Sequence, residues 1–182
     1  MPFQLVVLFG RPGVGKLTIG RRLAERTGLR LFHNHLAVDL ALSLFEFGSS
    51  DFVELREEVW LASLTRAAAS PVPGAIFTFA PESTVRDTFI PTLQERIQRA
   101  GGGIHWVELT CEPDELHRRL TRPDRAVYGK LRDVETYERL AVGGQLDRPA
   151  MPKPDHLVDT TRLSAGEAAE SIAEALEWSA PA

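Results

Sequence analysis

The chain of 182 residues contains one cysteine, Cys111. A single thiol excludes an internal disulfide, and its place at the end of an apolar run predicts a buried structural thiol, not a reactive one. No apolar run reaches the roughly eighteen residues that a membrane-spanning helix requires, so no membrane partner is expected. The opening "MPFQLVVLFGRPG" shows neither a basic leader nor a small-residue cleavage site, and the expected location is cytoplasmic. Lysine is scarce, and the net charge is −4. A negative total argues against the sequence-independent phosphate attraction on which nucleic-acid binders depend, so no nucleic-acid partner is expected either. There is no internal repeat and no low-complexity segment, and "RPAMPKP" (148–154) reads as a proline-rich connection. What remains is a chain that is 43% hydrophobic, enough to bury the core of one domain without metal or disulfide. Monomer and homodimer both stay open.

Hydrophobic periodicity divides the chain into short apolar runs and longer amphipathic segments. "FQLVVLF" (3–9), "LRLFH" (29–33), "AIFTFA" (75–80), "IHWVELT" (104–110) and "DHLVDTT" (155–161) read as strands. Helical spacing is expected from Gly15 to Arg26 with Gly28 as stop, near 35–46, and near 51–69, where Asp51 and Glu54 resemble a capping box. Further helices are expected over 83–100, from Pro113 into an arginine-rich stretch, over 133–142, and from Ser164 to near Trp178, with Ser164 and Glu167 as a second capping box. Strands alternating with helices predict an α/β fold: a five-stranded parallel sheet with helices on both faces.

Between the first strand and first helix stands "GRPGVGK", Gly10 to Lys16. Glycines at 10, 13 and 15 let the backbone curl so that N–H groups around Val14 point inward, the helix dipole favours an anion, and Lys16 reaches terminal phosphates. The strand-loop-helix context is the one this motif requires. One residue departs from it. A hydroxyl is expected after the lysine to hold magnesium, and the chain has Leu17 there, with Thr18 one place later. Successive helical residues are rotated by about 100°, so Thr18 does not simply replace the missing hydroxyl. Magnesium keeps several waters and takes few protein ligands, so ATP or ADP is still expected to bind, with Mg2+ more weakly or differently anchored. From Arg118 to Arg132 the chain places five arginines and Lys130 against Asp124 alone, a patch suited to a small anionic ligand.

With these motifs the chain resembles the small P-loop kinases, the group of nucleoside-monophosphate, shikimate, gluconate and chloramphenicol phosphotransferases. "PDELHRRLTRPDR" (113–125) is similar to the start of their mobile lid. The resemblance implies a three-layer P-loop fold, with a lid over about 119–135 and acceptor-binding helices over about 35–70. It implies that Arg119 flanks the adenine, that Arg122 reaches the phosphates, and that Arg125 and Arg132 help when the lid closes. In loops ending Gly-Lys-Ser-Thr the second hydroxyl approaches the α-phosphate, a role Thr18 can keep. The chain is also similar to a bacterial subgroup that pairs a Gly-Lys-apolar-Thr loop with Leu-Phe-His-Asn-His, and that likeness brings no substrate with it.

In shikimate and chloramphenicol kinases the second strand ends in aspartates; here His33, Asn34 and His35 take that place. Ligands of open parallel sheets sit beyond the carboxyl ends of strands. A neutral imidazole there can take a hydroxyl proton, or it can merely cap the following helix. Two histidines also raise zinc, but no cysteine or carboxylate cluster with ligand spacing stands near them. Asp39, four residues after His35, would orient that imidazole or bind an acceptor. Glu82, after the third strand, is the candidate to hold metal through water. Arg56 and Arg86 would grip an anionic acceptor or form salt bridges. His105, His117 and His156 read as structural. The expectation is an ATP-dependent phosphotransferase for a small hydroxyl- or phosphate-bearing metabolite, nucleotide or antibiotic. The alternative is a nucleotide-binding protein or slow ATPase without an acceptor.

Overall fold

The computed structural model describes residues 2–121, 134–147 and 149–178. Its elements run β1 (Gln4–Phe9), α1 (Lys16–Thr27), β2 (Arg30–His33), α2 (His35–Leu42), α3 (Ser50–Ala68), β3 (Gly74–Phe79), α4 (Phe89–Arg99), β4 (Gly103–Thr110), α5 (Pro113–Leu120), α6 (Val134–Val142), β5 (His156–Asp159) and α7 (Ala165–Ala175). The five strands form one parallel sheet in the order β2-β3-β1-β4-β5.

β1 and β3 are apolar nearly throughout because helices cover both of their faces. Side chains alternate with the period of two. Leu5, Val7 and Phe9 join one core with Trp60 of α3 and Leu93 of α4, and Val6 and Leu8 join the other with Leu23 of α1 and Ile172 of α7. Trp60, Phe77, Phe79 and Phe89 make an aromatic knot, with ring centroids 5.3 Å apart for Trp60–Phe89 and 5.5 Å for Phe79–Phe89. Such pairs add about 0.5–1.5 kcal/mol each beyond the area they bury.

Register fixes what the carboxyl edge presents. Thr78 of β3 is level with Leu8 of β1 on one side and His33 of β2 on the other. The β1–α1 loop therefore starts about two strand spacings, roughly 10 Å, from His33. Gly20 lets α1 lie close on this level: a Cβ there would stand 3.1 Å from Leu31 Cδ1 and 3.4 Å from Thr78 Cγ2.

Three local expectations need correction. The cap of α3 is Ser49, whose hydroxyl accepts from Phe52 N–H at 3.2 Å, and Asp51 lies inside the first turn, where its charge suits the helix dipole. α4 starts at Phe89 and not at 83, because residues 82–86 are held in a turn by side chains of α3 and by the Ser83 N–H donating to Gln145 O at 2.7 Å. Cys111 is half-buried just past β4, not enclosed. The Ser164–Glu167 capping box at α7 is formed, and Gly28 ends α1 in the left-handed conformation, with φ 73°.

Candidate nucleotide and acceptor site

The loop between β1 and α1 can be built only with glycine at its first position. Gly10 has φ 144°, and a Cβ on it would lie 2.3 Å from the Leu109 carbonyl oxygen of β4. Gly13 and Gly15 also have positive φ, 100° and 99°. The N-terminus of α1 has no side-chain cap, so its first-turn N–H groups face the loop. Lys16 Nζ donates to Gly10 O at 2.6 Å and to Arg11 O at 2.9 Å, closing the loop on itself. Val14 is buried beneath the loop. This arrangement fits a phosphate tail: a close-packed curl of backbone, an uncapped helix dipole and an ammonium at one end. Leu17, half-buried, contributes no oxygen for a metal, whereas Thr18 is exposed.

A cleft of about 400 Å³ opens beside the loop, lined by Gly13, Gly15, Thr18, Arg119, Thr160 and Ser164 among others. Arg119 donates from Nη1 to the Thr160 hydroxyl at 3.0 Å, from Nη2 to Thr160 O at 2.6 Å, and from Nε to Glu115 at 2.7 Å. With its edge nitrogens fixed, the flat guanidinium is held as a wall of the cleft. The Thr160 hydroxyl is also 3.0 Å from Val14 O and 2.9 Å from Thr110 O. One buried threonine thus joins the ends of β4 and β5, the phosphate loop and Arg119. Sequence pattern alone does not single Thr160 out. The available signal is a hydroxyl directly following the last strand.

Charge in this region is more balanced than the run from Arg118 suggests. Glu115, one turn earlier on α5, accepts two bonds from Arg118, each 2.7 Å, besides that from Arg119. Hydrogen bonds from Arg118 and Arg119 pull its carboxyl down to about 2. Arg122, Arg125 and Arg132, with most of the expected lid, lie outside the described residues.

At the far edge of the sheet, His33 ends β2, on the face that carries Leu31 and Thr78 toward α1. Asn34 is tied to β3: its N–H donates to Thr78 Oγ1 at 3.2 Å, and its Oδ1 accepts from that hydroxyl at 3.4 Å. The Asn34 side chain does not cap α2. The rings of His33 and His35 have centroids 6.2 Å apart, tilted by 53°. Asp39 is exposed one turn beyond His35 on α2. Thr78, which sequence reasoning passes over, is the one hydroxyl in an apolar strand and anchors this trio.

Of the two expectations for Arg56 and Arg86 the structure shows the salt bridge and not an open anion grip, and Glu82, the metal-water candidate, is the partner of Arg56. Arg56 is 1% exposed, stacks over the Phe52 and Trp60 rings, and donates to Glu82 at 2.6 Å and to the Thr84 hydroxyl at 3.0 Å. It is an internal counter-ion, not an exposed grip. Glu82 is engaged on both oxygens, by Arg56, the Thr84 hydroxyl and the Thr84 N–H. Arg86 donates from its backbone N–H and from Nε to buried Glu57, both at 2.8 Å. These partners lie 26 and 29 residues away in sequence, beyond what local pattern reveals. Among the described residues no three metal-ligating side chains converge, and no helix is long and apolar enough to cross a membrane.

Together these features define a P-loop fold with a phosphate-binding loop, a flanking arginine and a separate polar edge at β2. No family model and no curated protein matches the chain by sequence. Solved structures match it along almost its full length. A sugar kinase from Janibacter sp. superposes with a TM-score of 0.67 at 16% identity, covering 100% of both chains. The APS kinase of Mycobacterium tuberculosis, in complex with AMPPNP and APS, has a TM-score of 0.65 at 14% identity, covering 97% of this chain and 98% of its own. Shikimate kinase from Acinetobacter baumannii, in complex with shikimate, has a TM-score of 0.63 at 22% identity, covering 96% and 93%. The chain therefore has the fold of the small-molecule P-loop kinases.

Proposed function

We propose that this chain is an ATP-dependent phosphotransferase acting on a small hydroxyl-bearing acceptor. The observation that carries the reading is the glycine-built loop ahead of the uncapped α1, with Lys16 turned onto its carbonyls. The fold shared with structures of sugar, APS and shikimate kinases supports it. Gly10, Gly13, Val14, Gly15, Lys16 and Thr18 would hold the phosphates, and Arg119 the base. When bound, ATP with Mg2+ would supply the phosphoryl group and most of the charge neutralisation.

The chain's own residues then have definite tasks. Lys16 exchanges the Gly10 and Arg11 carbonyls for phosphate oxygens. His33 or His35 accepts the acceptor's hydroxyl proton on an imidazole nitrogen, and Asn34, held by Thr78, fixes the spacing between them. Asp39 contacts the acceptor. Arg122 and Arg125 would stabilise the transferred group, Arg86 would border the acceptor side, and Glu82 would have to give up a bond to Arg56 or Thr84 before it could meet a metal-bound water. In the test, ATP-consuming turnover is followed across alcohols, sugars, nucleosides and antibiotics. Turnover that depends on one acceptor class and is lost in both Lys16→Ala and His35→Ala supports the reading.

Leu17 favours a second reading, a nucleotide-binding protein or slow ATPase, since it removes a metal-binding hydroxyl. Tight ADP or ATP binding with no acceptor-dependent turnover in the same panel would select it.

A further inference from the structure

On the acceptor side of the sheet, the cations that would ordinarily receive an anionic substrate are already matched by carboxylates of the chain. Arg56 is enclosed by Glu82, Thr84 and two aromatic rings. Arg86 is bound by Glu57 and lies in the field of Glu54 and Glu58 as well. Between residues 34 and 60 the sequence has Asp39, Glu46, Asp51, Glu54, Glu57 and Glu58 against the single cation Arg56. An anion entering here would have to dislodge a buried ion pair or face this surplus.

The neighbouring cleft carries the same sign. It measures about 730 Å³, opens between Pro81 and Tyr137 beyond the ends of β1 and β4, and presents Glu108, Glu138 and Asp147 against Arg11 and Lys153, with His117 3.6 Å from Glu138. Arg11 is itself bonded to Asp147 at 2.8 Å. By contrast, the cleft beside Thr160 presents Arg118, Arg119 and Arg162 against Glu115. Among the described residues the two sides of the loop thus differ in charge, basic beside Thr160 and weakly acidic beside Pro81. α2 and the turn after it add an apolar component: Leu36, Leu40 and Leu44 are 50%, 46% and 68% exposed, near His35 and Asp39 in the chain.

We propose that the acceptor carries no anionic group and is an amine-bearing or neutral alcohol with an apolar body, because Arg56 and Arg86, the cations of α3 and of the turn after β3, are already held by the chain's own carboxylates. The identity of this site as an acceptor site rests on the phosphotransferase reading above; its charge preference rests on the ion pairs alone.

The test is an NMR screen of the ADP-saturated full chain against equal numbers of fragment-sized amines, neutral alcohols, carboxylates and phosphates, with hits mapped by amide shifts. Amines and neutral alcohols should outnumber anions about threefold or more among fragments that move His33 to Asp39. Glu54→Gln, at an exposed position that leaves the core intact, should narrow that ratio. Carboxylates and phosphates equalling the amines and neutral alcohols there, or neither an amine nor a neutral alcohol binding at all, overturns the proposal. Failure of ADP to move residues 10–19 would instead count against the phosphotransferase reading, and the fragment ratio, recorded also without ADP, would still decide the charge preference.

Discussion

Arg119 and Thr160 are joined twice, through the threonine hydroxyl at 3.0 Å and its carbonyl at 2.6 Å, and the same hydroxyl reaches the phosphate loop at Val14 O. The wall of the nucleotide cleft and its floor are therefore positioned by one side chain, 2% exposed. A guanidinium whose edge is saturated in this way loses little further freedom when a planar base lies against its face.

Thr160→Val keeps the shape and removes the hydroxyl, leaving the Arg119 Nη1 and the Val14 carbonyl short of a partner, while the Thr110 carbonyl keeps the backbone N–H of residue 160. Stability should fall by about 1–3 kcal/mol, the cost of buried unsatisfied groups, measured by urea unfolding. ADP affinity, measured by calorimetry, should weaken with it. Unchanged stability and affinity would show that the hydroxyl does not organise the cleft.

Gly10→Ala should be worse tolerated than any other single change in the loop. Its φ of 144° is unfavourable for alanine, and the new methyl would meet the Leu109 carbonyl at 2.3 Å, which is backbone and cannot swing aside. Nucleotide binding should be lost, and the melting temperature lowered by several degrees, since strain of this kind costs about 1–3 kcal/mol. Lys16→Ala, which removes the bonds to the Gly10 and Arg11 carbonyls, should keep the fold and lose at least tenfold in ATP affinity, a change of about 1.4 kcal/mol.

The extent to which the site is legible in the sequence follows from the range of the interactions involved. Gly10, Gly13, Gly15 and Lys16 act within one loop, and hydrophobic period separates the strands around them, so the nucleotide side can be read from local pattern. Caps written within four residues, as at Ser164 and Glu167, are equally plain. The acceptor side is not. The partners of Arg56 and Arg86 are set by how α3 lies over the turn after β3, and the value of Thr78 and Thr160 depends on which strand ends come together. The extra length assigned to α4 has the same origin, because tertiary bonds to residues 82–86 override a helical pattern.

Leu17→Ser restores a hydroxyl where a metal would be held. If Leu17 limits magnesium binding, the variant should need several-fold less Mg2+ for half-maximal nucleotide binding or turnover. Identical Mg2+ dependence in the two proteins would mean that the metal is held by phosphate oxygens and water alone.

Arg56→Met should destabilise the chain by about 1–3 kcal/mol, because it leaves the half-buried Glu82 carboxylate with only Thr84 as partner. Adding Glu82→Gln removes the stranded charge, so the double variant should recover a substantial part of the loss. Measured by urea unfolding, that non-additivity isolates the pair, and simple additivity of the two changes would refute the coupling.

Glu115 gives the fold an acid-sensitive element. Its carboxyl is held near 2, against an ordinary value of 4.5, by hydrogen bonds from Arg118 and Arg119. A depressed acid contributes stability that is fully present above the unfolded value and disappears as pH falls toward the folded one. The contribution of this group should therefore be constant above pH 4.5 and decline between 4.5 and about 2. Glu115→Gln should flatten the stability–pH curve across that window and also release Arg119 from one of its two anchors, loosening ADP binding at neutral pH. A carboxyl resonance titrating near 4.5 in the folded protein would show that the two arginines do not close on Glu115 in solution.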